Sequence, residues 1–292
     1  MDKKTEKDLE YRKYMKRISS ENFPVYKPDL GAKEIELLTE VIESNWISEG
    51  KFVRKFENQL AKISGKKYAL CFSNATSAMI TGMLSLGIGS GDHVIVPSFS
   101  HSADPNSISA TGAKPIFSDV NYDTMCLNVS EIKKVITNKT KAILYVSAYG
   151  NTDDLEELSL FCKQNKLILI NDCAPALGGR FRNKQISSFG DFSVFSFFAD
   201  KTITTGEGGV MLTNSSDLIN NANIYKHDGR RERGIDKIER RGFNYRITEM
   251  QGAIGVAQLE RLDYFINKKK EIYKYYKKKL KSNNSVEIFD FN

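Results

Sequence analysis

Four features of this sequence have residue types and spacing that could do chemistry. Lys201 stands in FSVFSFFADKTITTGEGGVMLTN (192–214), where the apolar run from Phe192 to Phe198 reads as a buried strand and GEGG as a turn into a second one. The lysine therefore hangs between two core strands. At the mouth of a sheet its amine is partly desolvated, which lowers its pKa and frees the neutral form to condense with an aldehyde. A solvated loop lysine is the ordinary alternative. Asp172 ends the apolar run LILIND, where a carboxylate is costly without a cation or donors. It is either a structural cap or a partner for a protonated heterocycle nitrogen. In Ser73-Asn74-Ala75-Thr76-Ser77 a strand turns directly into the helix AMITGMLSLGIG. Such a turn offers free N–H groups and hydroxyls at a positive helix end, as ordinary capping or as a phosphate cradle. His101, in the loop after VPSFS, is a loop histidine or a ring to lay against a flat ligand. An amine, an acid for a ring nitrogen, a ring stacker and a phosphate cradle are together what pyridoxal phosphate requires.

The surrounding pattern must position these groups. Residues 1–20 alternate charges with few apolar anchors and read as a tail. Two amphipathic helices, in KPDLGAKEIELLTEVIESNW and KFVRKFENQLAKISG, precede the first strand at Tyr68 to Phe72. Apolar runs at 93–97, 114–120, 141–150 and 167–173 then alternate with helical stretches such as SEIKKVI and LEELSLFCKQN. That alternation predicts an α/β domain with a mainly parallel sheet flanked by helices. Ligands of such sheets gather at the carboxyl ends of the strands. Segments ending in Ser73, Pro97, Tyr149, Asp172 and Phe198 should converge on one crevice.

Composition narrows the function classes. The 292 residues are 40% hydrophobic and 27% charged, and no apolar run approaches the roughly 20 residues that span a bilayer. The first twenty residues lack the apolar core of a secretory signal, so a cytoplasmic protein is expected, not a membrane one. Cys71, Cys126, Cys162 and Cys173 are scattered, with no metal-ligand spacing. The formal charge of +7 equals that of Lys268 to Lys281 alone, with eight lysines and one glutamate. There Ile272, Tyr276 and Leu280 recur every four residues, so the lysines form the wet face of an amphipathic helix and not a nucleic-acid tail.

SNATSA, VPSF, GAKPIFSDV, AYGNTDDLEEL, NDCAPALGG, FGDFSVFSFFADKTITTGEGGVMLTN and GFNYRITEMQGAIGVAQLERLD occur in order. Over about residues 24 to 265 the chain thereby resembles the DegT/DnrJ/EryC1/StrS family of pyridoxal-phosphate-dependent nucleotide-sugar aminotransferases. VYKPDLGAKE, NWISEGK and DKTITTGEGG look most like the family's GDP-perosamine synthases and related 4-aminotransferases.

The resemblance implies a fold-type I transferase and homodimer with shared active sites, which moves an amino group, from glutamate, to a nucleotide-linked 4-keto-6-deoxysugar. Lys201 falls on the Schiff-base lysine and Asp172 on the acid at the pyridine nitrogen. Ala75, Thr76 and Ser196 match phosphate-holding positions, and Asn244 matches one that reaches the neighbouring subunit's phosphate. His101 stands where the family places an aromatic ring over the cofactor. The 3-dehydratase branch has histidine in place of the lysine, and Lys201 argues against it.

Three departures accompany the match. Ala75 replaces the glycine of the usual SNGT, a mild change where the local φ is negative. Pro175 replaces a Gln or Glu beside the cofactor's phenolic oxygen and supplies no donor. Family chains continue for about a hundred residues, a domain-sized piece. The implied division is a tail (1–20), a large cofactor domain (21–262) and the start of an incomplete small domain (263–292). A non-catalytic cofactor-binding or regulatory partner is the alternative.

Overall fold

The apolar runs form the sheet that alternation predicts, with helices on both of its faces. In the computed structural model, residues 26–232, 234–281, 285, 286 and 288 are described, so the expected tail at 1–20 lies outside the described residues. Helices α1 (Ala32–Glu43) and α2 (Lys51–Ser64) precede β1 (Tyr68–Phe72) and α3 (Ala75–Ser85). There follow β2 (His93–Pro97), α4 (Ala103–Ala110), β3 (Lys114–Ser118), α5 (Val129–Val135), β4 (Thr140–Val146), α6 (Leu155–Gln164) and β5 (Ile168–Asp172). A small hairpin, β6 (Arg180–Phe181) and β7 (Lys184–Gln185), leads to β8 (Phe192–Ser196) and β9 (Gly209–Thr213). Helices α7 (Ser216–Lys226), α8 (Glu249–Glu260) and α9 (Leu262–Leu280) complete the described elements.

The seven-stranded sheet runs β1-β9-β8-β5-β4-β2-β3. Strand β9 is antiparallel to both neighbours, and the other pairings are parallel. Because β9 runs backwards, its first residue lies level with the last residues of β1 and β8: Gly209 pairs with Phe72 and with Ser196. One edge of the sheet thus collects the carboxyl ends of six strands and the start of the seventh.

Strand side chains alternate between two cores. Ala142, Leu144 and Val146 pack with Met79, Met83 and Ile108 of α3 and α4, while Ile143 and Tyr145 face the other way onto a cluster with Phe56, Leu60, Leu158 and Val256. Coverage on both faces explains why the strands read as unbroken apolar runs. Each fully buried side chain of this size contributes roughly 1.5–3 kcal/mol, which anchors the site edge to a rigid frame.

Three expectations need correction. The run expected as strand through 150 ends at Val146, because Ala148–Gly150 is a 3-10 turn with Tyr149 at φ 53°. The run expected through 120 ends at Ser118. The lysine-rich helix forms within α9, but none of its residues is buried, and Ile272 of its apolar stripe stays 49% exposed.

Candidate active site

Lys201 lies in the loop from Phe197 to Gly208 that joins β8 to β9. The loop is tied down by its own polar groups: Phe197 N–H donates to Gly208 O (2.9 Å), Thr205 N–H to Phe197 O (3.0 Å) and Thr204 Oγ1 to Phe197 O (3.0 Å). Gly206 takes φ +82° in the turn, a conformation that favours glycine. A Cβ on Gly209 would stand 2.3 Å from Ala75 N. That glycine lets the loop's exit press against the turn into α3. The Lys201 amine is an ion pair with Asp200, Nζ to Oδ1 3.2 Å, and its side chain is 27% exposed. From α9, Lys269 Nζ donates to Thr202 Oγ1 at 3.0 Å, one residue from Lys201.

At the end of β5, Asp172 is 5% exposed. Its Oδ1 accepts from Ala174 N–H at 2.9 Å. Burial pushes its pKa up, against the pull of that N–H, of the Asp104 carboxyl beside it and of Lys201 and His101 nearby. Lys201, His101 and Asp172 are therefore gathered at one place. Asp104, in the first turn of α4, is fully buried, and burial together with the charge of Asp172 pushes it up to about 9. His101 is exposed, and its Nδ1 accepts from Ala103 N–H at 3.1 Å.

The turn into α3 is built as a cradle. Asn74 is the N-cap, its Oδ1 accepting from Ser77 N–H at 2.8 Å, and its backbone carbonyl takes Ala78 N–H at 3.3 Å. The N–H groups of Ala75 and Thr76 have no intrahelical acceptor, so they remain at the positive helix end for an anion. Because Ala75 is the first helical residue, the change from glycine strains nothing. Ser196 ends β8 beside Gly209 of β9, and its Oγ accepts from Phe198 N–H at 3.3 Å. The carbonyl of Tyr245 accepts from Ser73 N–H at 2.9 Å, which sets the exposed Asn244 at the flank of the cradle. Pro175 is exposed in a turn closed by Ala176 N–H to Cys173 O (2.8 Å). No N–H is needed from it there.

Asp104 and Lys269 are the two side chains of this site that local sequence does not reveal. An acid in a helix's first turn reads as ordinary dipole matching, and Lys269 hides among seven neighbouring lysines. A cavity of about 370 Å³, lined by Glu49, Gly50, Lys226 and His227 among others, contains none of the predicted site residues.

Residues 28–292 match the DegT/DnrJ/EryC1/StrS aminotransferase family. The chain belongs to that family. A GDP-perosamine synthase of Escherichia coli O157:H7 is 45% identical over 263 residues, 89% of this chain and 71% of that protein. One of Vibrio cholerae is 40% identical over 261 residues, 88% and 70% of the respective chains. Among solved structures, Helicobacter pylori PseC, an aminotransferase involved in pseudoaminic acid biosynthesis, is 30% identical with TM-score 0.85, covering 90% of this chain and 71% of that one. An aminotransferase from Psychrobacter cryohalolentis is 32% identical with TM-score 0.77, covering 82% and 64%. The chain thus spans about two thirds to seven tenths of the length of these relatives.

This sugar aminotransferase uses pyridoxal phosphate and belongs to the class that moves an amino group onto a nucleotide-linked keto sugar. Its residues fit the cofactor. The uncapped N–H groups of Ala75 and Thr76 suit a phosphate, the buried carboxylate of Asp172 suits a ring cation, and the amine of Lys201 suits an aldehyde. Nothing among the relatives supports the non-catalytic alternative.

Proposed function

We propose that this aminotransferase takes an amino group from glutamate and delivers it to a nucleotide-linked 4-keto-6-deoxysugar, with GDP-perosamine as the product to which the similar synthases point. The observation that carries the reading is Lys201 at the strand-end edge within electrostatic reach of the buried Asp172. The bound cofactor supplies an aldehyde for the amine and a ring that accepts electrons when a C–H bond breaks. Asp172 holds the ring-nitrogen proton in place, since a buried carboxylate with one N–H partner favours a neighbouring cation. Lys201 Nζ, tethered on a hydrogen-bonded loop and partly open to solvent, is the group that takes and returns the substrate carbon's proton. Ala75, Thr76 and Ser196 would hold the phosphate, and the His101 ring would lie against the cofactor.

The reading extends to a homodimer in which Asn244 serves the phosphate bound in the second copy. Its exposure beside the cradle supports that role. The domain division at 262 and 263 fits the start of α9 at Leu262. Four buried free cysteines support a reducing, cytoplasmic setting.

Borohydride reduction of the cofactor-loaded chain followed by peptide mapping should place the label on Lys201. Incubation with glutamate before reduction should abolish the label. A label on another lysine, or one that glutamate does not remove, overturns the assignment.

A further inference from the structure

Asp104 is a buried ionisable side chain for which the chemistry above has no use. It is fully enclosed at the first turn of α4. Neither of its oxygens finds a well-formed hydrogen bond, and the groups in reach are the Ser100 hydroxyl and the carboxyl of Asp172. Two carboxyl groups in contact inside a protein do not both ionise, because each charge raises the cost of the other, so the pair holds a proton. The surroundings decide which oxygen carries it. Asp172 has the Ala174 N–H and the charge of Lys201 to stabilise an anion. Among the described residues, only Asp172 and Ser100 act on Asp104, and neither is a cation. Helix α3, packed against α4, bears no ionisable side chain, and β2 and β3 bring His93 and Lys114 at their first residues, on the opposite edge of the sheet.

We propose that Asp104 is a positioning residue that keeps a proton and donates it to the Asp172 carboxylate, fixing that carboxylate as the single anion of the pair. The inference rests on the reading of Asp172 as the acid at the cofactor's ring nitrogen. A lone carboxylate at the depth of Asp172 would itself take up a proton and lose its hold on a ring cation. The donor from Asp104 prevents this while adding no second negative charge. It also fixes which way the carboxylate faces, since Ala174 N–H and Asp104 then bind it from the main chain and from α4.

Two measurements test the proposal, one of them on the cofactor-free chain. A carboxyl that stays protonated when folded but ionises when unfolded costs stability increasingly as pH rises from its ordinary value to its folded one. The thermal midpoint of the wild type should therefore fall relative to Asp104→Asn between pH 5 and 9. Parallel curves would mean that Asp104 is ionised in the fold and would overturn the proposal. The second measurement is pyridoxal phosphate affinity, read from the absorbance of the bound cofactor at several pH values. Asp104→Ala should weaken binding about tenfold at pH 7 and recover part of the loss as pH rises and Asp172 ionises. Asp104→Asn retains a donor and should stay within about twofold of wild type. Asp104→Leu, apolar and of the same branched shape, replaces the alanine variant should that chain not fold. Asp172→Asn measured alongside separates the two readings. If it leaves affinity unchanged, the reading of Asp172 falls and this inference with it. If it weakens affinity while Asp104→Ala and Asp104→Leu do not, this inference alone is overturned.

Discussion

Among the described residues, the buried ionisable groups around Glu49 and those around Asp172 are built on opposite plans. Around Glu49 the charges are matched. Lys226, 2% exposed, donates to Glu49 Oε1 at 2.7 Å and to Cys71 O at 3.1 Å. The other carboxylate oxygen meets His227 Nε2 at 2.9 Å, and His227 Nδ1 lies 2.9 Å from Asn223 O. Since a carboxylate and a carbonyl can only accept, both ring nitrogens donate. At the strand-end edge, by contrast, Asp104 and Asp172 lie within reach of one another, with one main-chain N–H on Asp172 and the cation of Lys201 further off. A matched cluster stabilises a fold and asks for nothing more, whereas an under-compensated acid pair at the edge where α/β sheets bind ligands is a place for a cation to arrive.

The most damaging way to break the matched cluster is to remove its cation. Lys226→Met strips Glu49 of its buried lysine, and removing one partner from a buried pair costs about 3–5 kcal/mol. Denaturant unfolding of the cofactor-free chain should show that loss. A change below about 1 kcal/mol would mean that water reaches Glu49 and that the network is not sealed.

The same operation on the other cluster should leave the fold intact and remove function. Asp172→Asn takes away a carboxylate that burial already disfavours, so cofactor-free stability should not fall. Glutamate-dependent transamination should drop about a hundredfold, equivalent to about 2.7 kcal/mol of transition-state stabilisation. If the variant instead loses stability on the scale of Lys226→Met and keeps its turnover, the contrast between the clusters is wrong.

The site was more legible in sequence than the matched cluster, for a physical reason. Lys201 and the Ser73–Ser77 turn announce themselves locally, because an apolar strand has to end in a turn of small and polar residues to place a functional group at the sheet edge. Asp172 stands out in the same way, as a carboxylate closing an apolar run. Glu49 and Lys226 are separated by 177 positions, and each lies in an ordinary segment. Their meaning exists only in their meeting. Asp104 is unreadable for the same cause, since its significance comes from β5 and not from its own helix. The sheet order was legible only as a class. The reversal of β9, which brings Gly209 against the backbone of Asn74 and Ala75, follows from no periodicity. The exposed stripe on α9 shows the converse limit, since amphipathic spacing predicts a helix but not what covers it.

The finest contrast between the clusters is in the sign of their response to pH. Burial pushes the Glu49 carboxyl up, but the His227 hydrogen bond and the Lys226 charge outweigh it and bring it from 4.5 to about 2. A depressed carboxyl contributes stability that is complete above its unfolded value near 4.5 and is lost as pH falls toward 2. The shift corresponds to roughly 3 kcal/mol at 1.36 kcal/mol per unit, and to about 2 kcal/mol once partial solvent screening of the site is allowed for. Asp104, raised from 3.8 to about 9, acts in the reverse sense, costing stability progressively as pH climbs through that interval. Unfolding free energies of the cofactor-free wild type and Glu49→Gln between pH 2.5 and 7 should therefore converge on the acid side. The advantage of the wild type should shrink as the solution is acidified below about 4.5 and stay level above it. If that advantage instead declined with rising pH, Glu49 would hold its proton in the fold as Asp104 does, and the division into one matched and one under-compensated cluster would have to be abandoned.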